Sequence, residues 1–320
     1  MIVAVNLHAL VGIDFWVGVG LLAATYGIFA LGLQLNVGTT GITNFGQAGF
    51  MAIGAYAMAI LVVKEHWALG WAMLAGIGLT VVAAILVGLP SLRLRADYFA
   101  ITTLAFAEII RYIADNARSL TNGSQGLLGY NNEWFTLSLR FGNWLNGHGV
   151  HVPSFLFPLM LVSWAVLLVL WLFTSALTRT PWGRVLRAIR EDEDAARALG
   201  KNTLAYKLQS LALAAALAAV AGFILALDLT LLAPEQFDPV FTVFGYVIVI
   251  LGGLGSYFGV LVGSVVLMAL LEGTRYVELP LASDKVAAVR FIIVGAVLIL
   301  LMAFRPQGLF GKRQEMVLGE

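Results

Sequence analysis

Long apolar runs separated by short polar stretches recur along the whole chain, which has 320 residues. A helix needs about 20 apolar residues to cross the hydrocarbon of a bilayer. Runs of that order lie at 15–35, 46–63, 68–89, 98–114, 154–174, 205–231 and 287–304. Barrel strands need only about 9–11 residues, so runs this long predict helices. A further stretch, 241–271, is interrupted by GGLGS at 252–256. It is too long for one ordinary span and short for two, which predicts a re-entrant hairpin or two short tilted helices. Backbone broken at membrane depth is tolerated only inside protein or beside a water-filled cavity. The expected fold is an all-α integral membrane protein. It is a polytopic bundle of about eight to ten transmembrane segments, with a broken or re-entrant segment near 241–271 and a single transmembrane domain over 1–320.

Composition agrees with the pattern. The chain is 60% hydrophobic and 12% charged, against about 25% charged in soluble domains, and its mean hydropathy is +0.91. A net charge of +1 supplies no basic field for nucleic acid. The absence of cysteine removes disulfides, thiolate catalysis, Cys-based zinc sites and iron–sulfur clusters. No GxxxxGK[ST], GxSxG or HExxH occurs, so neither nucleotide hydrolysis nor a hydrolase is indicated. GGLGS lacks a following lysine and reads as a helix break. His148 and His151 have no carboxylate at a useful spacing and read as surface histidines. No metal and no bound cofactor are expected. The first residues, MIVAVNLHALVGID, hold no Lys or Arg, so the first span reads as a retained anchor rather than a cleaved signal.

The basic residues predict sidedness. The loop 175–204 holds Arg179, Arg184, Arg187, Arg190, Arg197 and Lys201. Placing it in the cytoplasm also places Arg93, Arg95, Arg305, Lys312 and Arg313 there. Lys64, Arg118, Arg140, Arg275, Lys285 and Arg290 then lie outside. The N-terminus is expected outside, the C-terminus inside, and the polar loop 115–152 forms an outer cap. Two stretches echo each other: 45–61 and 254–270 both space glycines eight apart, Gly46 with Gly54 and Gly255 with Gly263, each pair followed by a small residue (Ala55, Ser264). Such an echo fits an internal repeat or ordinary small-residue packing.

Charges interrupt RLRADYFAITTLAFAEIIRYIADN (93–116) at Glu108 and Arg111. A charge at the centre of a membrane helix costs roughly 2.5–3.5 kcal/mol on insertion scales. On a helix Asp97, Glu108 and Asp115 fall within about 20° of one another, with Arg111 about 40° to one side. Glu108 and Arg111 can pair at i,i+3. The stripe is expected to face inward, as an ion pair that orients the helix or as part of a pathway. Asn44, Gln47, Thr102 and Thr103 are further pathway candidates, and each would serve equally as a helix cap or backbone partner. GRVLRAIREDEDAARALG (183–200) reads as one amphipathic helix with Val185, Leu186, Ile189, Ala196 and Leu199 on its apolar side, ended by Gly200. A partner's groove is its expected seat. On these residues alone, a gradient-driven transporter or channel using Glu108 as ion or proton site and a membrane scaffold both remain open.

The sequence resembles the Liv-type permease subunits of branched-chain amino acid ABC importers, and within them the LivM-type half. The resemblance rests on GITNFGQAGFMAIGAYAMAIL (41–61), LRADYFAITTLAFAEIIR (94–111), TNGSQGL (121–127), RAIREDEDAARALGKN (187–202), VILGGLGSYFGVLVGS (249–264) and RPQGLFG (305–311). It implies a permease without enzymatic activity in the bacterial inner membrane, paired with a second Liv-type permease. Two ATPase subunits would hold ATP and magnesium, and an extracellular solute-binding protein would deliver the substrate. That substrate would be a branched-chain or related neutral amino acid, or a small amide such as urea. It also implies that Arg187, Glu191, Asp194, Ala195, Ala196 and Gly200 meet the ATPase. Asp194 stands where many importers have Glu, the I-x-L-P tail of the general coupling motif is absent after Gly200, and Asn122 stands where Gly is usual.

Overall fold

The computed structural model describes residues 12–149, 155–274 and 307–311, with the separate positions 4–5, 277–278, 292, 295–296, 299 and 303–304. The expected span 287–304 lies largely outside the described residues, as do His151, Arg275, Lys285, Arg290, Arg305, Lys312 and Arg313.

Among the described residues the regular elements are helices, apart from a two-residue antiparallel pairing of Ala4–Val5 with Val277–Glu278. Helix α1 (Ile13–Leu33) runs on into a wide π-helical stretch, Gln34–Thr40, and α2 covers Gln47–Val63. Then come α3 (Leu69–Ser91), α4 (Ala96–Asn116), α5 (Asn132–Gly147) and α6 (Phe157–Arg179). Two short helices follow, α7 (Pro181–Glu191) and α8 (Glu193–Ala198). The chain continues with α9 (Thr203–Asp228), α10 (Val240–Gly252) and α11 (Tyr257–Gly273). Among the described residues, five helical stretches are long and apolar enough to cross a membrane. The shorter apolar α2 and α11 and the charge-bearing α4 complete the bundle.

Small residues decide which helices sit at the centre. A Cβ on Gly54 would fall 2.6 Å from Ala219 Cβ, and one on Gly222 would fall 2.4 Å from the Met51 carbonyl oxygen. The backbones of α2 and α9 therefore touch, as small-residue seams allow in membranes. α1 and α9 are mostly buried, whereas α3 and α6 expose Trp71, Leu79, Leu86, Val169 and Leu172. Apolar residues turned outward along a span are what lipid requires.

The interrupted stretch 241–271 resolves into two short antiparallel helices, α10 and α11. Gly252 faces Gly259 so closely that a Cβ on either would lie within 2.3 Å of the other's carbonyl oxygen, and a Cβ on Gly263 would lie 2.7 Å from that of Ile248. Gly253 takes φ +106°, which only glycine adopts without strain. Ser256 Oγ caps α11 by accepting from the Gly259 N–H at 3.1 Å. The two echoing stretches become α2 and α11, both 17 residues long, each with its second glycine against a neighbouring backbone.

The described loops gather at two ends of the bundle. At one end Leu92, Arg93 and Leu94 line a cleft with Glu193, Arg197 and Lys201, and the N–H groups of Leu309 and Phe310 donate to the carbonyls of Leu251 and Gly252. At the other end Lys64 reaches the Ser119 carbonyl, and Glu133 accepts from the Leu69 N–H at 2.8 Å. Leu127 and Leu232 exchange backbone hydrogen bonds there at 3.0 Å. Asn122 takes the left-handed conformation, φ +64°, which asparagine tolerates. The cap is less polar than its sequence suggests: α5 leaves Phe135, Leu137, Leu139 and Trp144 exposed.

Candidate functional site

The chain does not leave the bundle after α1. Gly41, at φ +78°, ends the π-helical stretch, and residues 42–46 have no helical structure. A Cβ on Gly32 would fall 2.3 Å from Gln47 Nε2. Gly32 lies before the whole π-helical stretch that ends at Thr40, and Gln47 also reaches Ala214 within α9, so α2 begins inside the bundle rather than at its end. The expected span 46–63 is met by α2 (Gln47–Val63); what the run does not announce is that its first residues lie inside the bundle, after an unwound segment.

Unwound backbone at this depth needs partners, and side chains supply them. Phe45 N–H donates to Thr103 Oγ1 at 3.1 Å, Gly46 N–H to Asn44 Oδ1 at 2.8 Å and Ala48 N–H to Thr242 Oγ1 at 3.1 Å. The Tyr246 hydroxyl donates to the Asn44 carbonyl oxygen at 2.9 Å. Asn44 Nδ2 donates to Gln47 Oε1, and Gln47 Nε2 to the Ala214 carbonyl oxygen, each at 2.9 Å. Asn44, Gln47, Thr103 and Thr242 are fully buried. Here these polar groups hold the break together and do not line an open channel. Thr242, Tyr246 and Ser210 escaped the sequence reading. Ser210 Oγ sits 2.7 Å from Thr40 Oγ1 and 3.2 Å from Asn36 Oδ1. The legible signal was the pair of glycines, Gly41 and Gly46, bracketing ITNF.

The ion pair of α4 is formed: Arg111 Nη2 lies 2.8 Å and Nε 3.0 Å from Glu108 Oε2. It does not face the interior of this chain. The packed face of α4 is Phe99, Thr103, Ala107 and Ala114, and a Cβ on Gly49 of α2 would fall 2.8 Å from Ala107 Cα. Small residues on both sides draw the helices together and turn the larger side chains away. Glu108 and Arg111 keep 31% and 24% of their side-chain surface, on a flank shared with exposed Tyr98, Ile101, Leu104, Ile109 and Tyr112. Asp97 is exposed and Asp115 half-buried. Thr102, half-buried, donates to the Tyr98 carbonyl of its own helix at 2.8 Å.

The segment 183–200 is two helices, not one. Gly183 packs so tightly on Thr178 that a Cβ would fall 2.1 Å from its carbonyl oxygen, and Pro181 opens α7 at a position where proline is preorganised. Asp192, at φ −153° and ψ 106°, breaks the helix and caps α8 by accepting from the Ala195 N–H at 2.9 Å. Leu186, Ile189 and Ala196 are buried as the amphipathic pattern predicts, but Leu199 is 81% exposed, because Gly200 turns the chain at φ +79° just beyond it. Arg187, Glu191, Asp194, Ala195, Ala198 and Gly200 are exposed as well. Burial pushes the Glu193 carboxyl up, but its hydrogen bond to Lys207 and the charges of Lys207 and Arg197 outweigh this and hold it below the usual carboxylate range. α7 leans on the break: Arg190 Nη1 donates to the Gly38 carbonyl oxygen, and a Cβ on Gly41 would fall 3.0 Å from Arg190 Cγ.

Residues 16–302 match the family described as the branched-chain amino acid transport system, permease component. The chain is 36% identical over 308 residues to the high-affinity branched-chain amino acid transport system permease protein LivM of Salmonella typhimurium, spanning 92% of this chain and 69% of that one. The likeness to LivM of Escherichia coli has the same extent. The permease protein LivH of Escherichia coli is 26% identical over 301 residues, 91% of this chain and 92% of its own. No solved structure matches. With the family match reaching across both the unwound segment and the α7–α8 loop, the chain belongs to the branched-chain amino acid transport permeases and is of the LivM type.

Proposed function

We propose that this chain is one membrane-spanning half of an ATP-driven importer that carries branched-chain or related neutral amino acids, or a small amide such as urea, into the cell. ATP and its magnesium are bound and used by two partner ATPases. The observation that carries this reading is the seat of Arg190 on Gly38 and Gly41. It joins an exposed, partner-sized loop directly to the point where α1 gives way to unwound chain. A displacement of α7 and α8 reaches the break through side-chain and backbone contact, with no flexible linker between.

Exposed Leu199 and Ala195, beside Asp194, Arg187, Glu191 and Gly200, form the ATPase contact, with Ala196 packed beneath. A second Liv-type permease covers the flank of α4, where a half-exposed ion pair at membrane depth needs protein or water rather than lipid. The likeness to both LivM and LivH proteins favours such a pairing. Substrate passes along that flank, by Glu108, Arg111 and Thr102, while Asn44, Gln47 and Thr103 shape the wall behind it. The α5 cap receives the solute-binding protein outside. The loop 175–204 and the C-terminus lie in the cytoplasm and the N-terminus outside, in a bacterial inner membrane.

Reconstitution tests the reading. The chain is placed in liposomes with a second permease, the ATPases and a binding protein, and uptake of labelled leucine is followed with and without ATP. Uptake is expected only in the full set with ATP. Gradient-driven uptake by this chain alone would overturn the importer and leave Glu108 as the ion site of a secondary carrier.

A further inference from the structure

A cavity of about 480 Å³ opens at the α7 end of the bundle, between the end of α6, α7, the start of α11 and Phe310. Its described lining holds three arginines, Arg179, Arg187 and Arg190, and no carboxylate. Arg187 and Arg190 each give one nitrogen to a carbonyl, those of Thr178 and Gly38. A guanidinium has five N–H donors, so most of this donor capacity is unused. Arg179, exposed at the end of α6, has no hydrogen bond or ion pair among the described residues. What the cavity lacks is an acceptor carrying negative charge.

We infer that this cavity binds a phosphate-bearing anion. Phosphate oxygens accept from several donors at once, and arginine's planar fork matches them. Two sources share that chemistry, a free phosphate and the head group of an acidic phospholipid. The rim favours the lipid: Leu254, Phe258 and Phe310 are exposed beside the arginines, so acyl chains have apolar surface to lie on while the head group enters. Basic pockets between membrane helices hold acidic head groups in this way. The anion ties α6 and the start of α11 to α7, the helix that rests on Gly38 and Gly41. The inference does not depend on the importer reading.

Native mass spectrometry of the purified full chain in detergent tests it, with phosphatidylglycerol or phosphatidylcholine added back. Phosphatidylglycerol is expected to bind at least tenfold tighter than phosphatidylcholine. Arg179→Gln and Arg187→Gln should each weaken phosphatidylglycerol by several-fold, and together by at least tenfold, with phosphatidylcholine binding unchanged. Should Arg187→Gln lower the folded yield by giving up its hydrogen bond to the Thr178 carbonyl oxygen, Arg179→Gln carries the test, because Arg179 is exposed and has no hydrogen bond among the described residues. Displacement of the lipid by inorganic phosphate would identify the free anion as a second ligand of the same site; no displacement would assign the site to the head group alone. Equal binding of the two lipids, or undiminished phosphatidylglycerol binding in the double variant, overturns the inference.

Discussion

Arg190 of α7 donates to the carbonyl oxygen of Gly38, in the π-helical end of α1, and its side chain covers Gly41, where helical structure stops. The α7–α8 loop thus rests on a backbone discontinuity within the bundle. In the importer reading that contact carries the stroke. Arg190→Ala is expected to lower ATP-driven uptake at least tenfold while the ATPases still co-purify. Arg190→Lys, which keeps charge but loses the planar fork, should fall between. Uptake at the wild-type rate in Arg190→Ala, at matched expression, would remove the mechanical link.

The exposed and buried alanines of α8 make separable predictions. Ala195→Arg and Leu199→Glu alter exposed positions; each is expected to abolish uptake and ATPase co-purification while the chain inserts and folds normally. Ala196 is buried, so Ala196→Arg is expected to fail earlier, in folded yield, because an unpaired charge there loses its hydration. If Ala195→Arg and Leu199→Glu transport normally, the α7–α8 loop is a solvated linker.

Glu108 and Arg111 share one ion pair. Removing one partner of a fully buried pair costs about 3–5 kcal/mol, and the partial exposure of this pair reduces the penalty in the isolated chain. Glu108→Gln and Arg111→Gln are each expected to lower folded yield or initial uptake, and the double variant to recover much of the loss. A coupling of about 0.5–3 kcal/mol is the range for contacting residues. A double-mutant cycle on the uptake rate measures it. Losses that simply add would refute the pairing role and assign Glu108 to the pathway.

Sidedness is open to direct labelling, since the chain has no cysteine of its own. Ser124 and Ala198 are exposed at opposite ends. With single cysteines at these two positions, an impermeant thiol reagent on intact cells is expected to label position 124 alone. Labelling at 198 would invert the protein and take the ATPase contact with it.

Much of this architecture was legible in the residues. Run length located the six spans that fall on described residues, GGLGS announced the α10–α11 break, and i,i+3 spacing gave the Glu108–Arg111 pair. Two features resisted for the same physical reason: both depend on distant partners. The apolar run after Gly46 looks like any membrane helix, because its start at depth is set by Gln47 meeting Ala214 and by Ala48 meeting Thr242. The outward turn of the α4 charges comes from Gly49 facing Ala107 across two helices, which helical periodicity within α4 alone does not encode. The division at Asp192 was nearer to hand, since Asp followed by EDA is a helix start as well as a helix interior.

The unwound segment is made long before the groups that shelter it. Phe45 is separated from Thr103 by 58 residues, Gln47 from Ala214 by 167 and Ala48 from Thr242 by 194. Until those partners emerge, the N–H groups of Phe45 and Ala48 and the side-chain amide of Gln47 lack their acceptors, and lipid offers none. On a growing chain, α1 and α2 therefore cannot settle side by side in the bilayer in their final form. The final bonding of the break is complete only once the chain has been made through α9 and as far as Thr242.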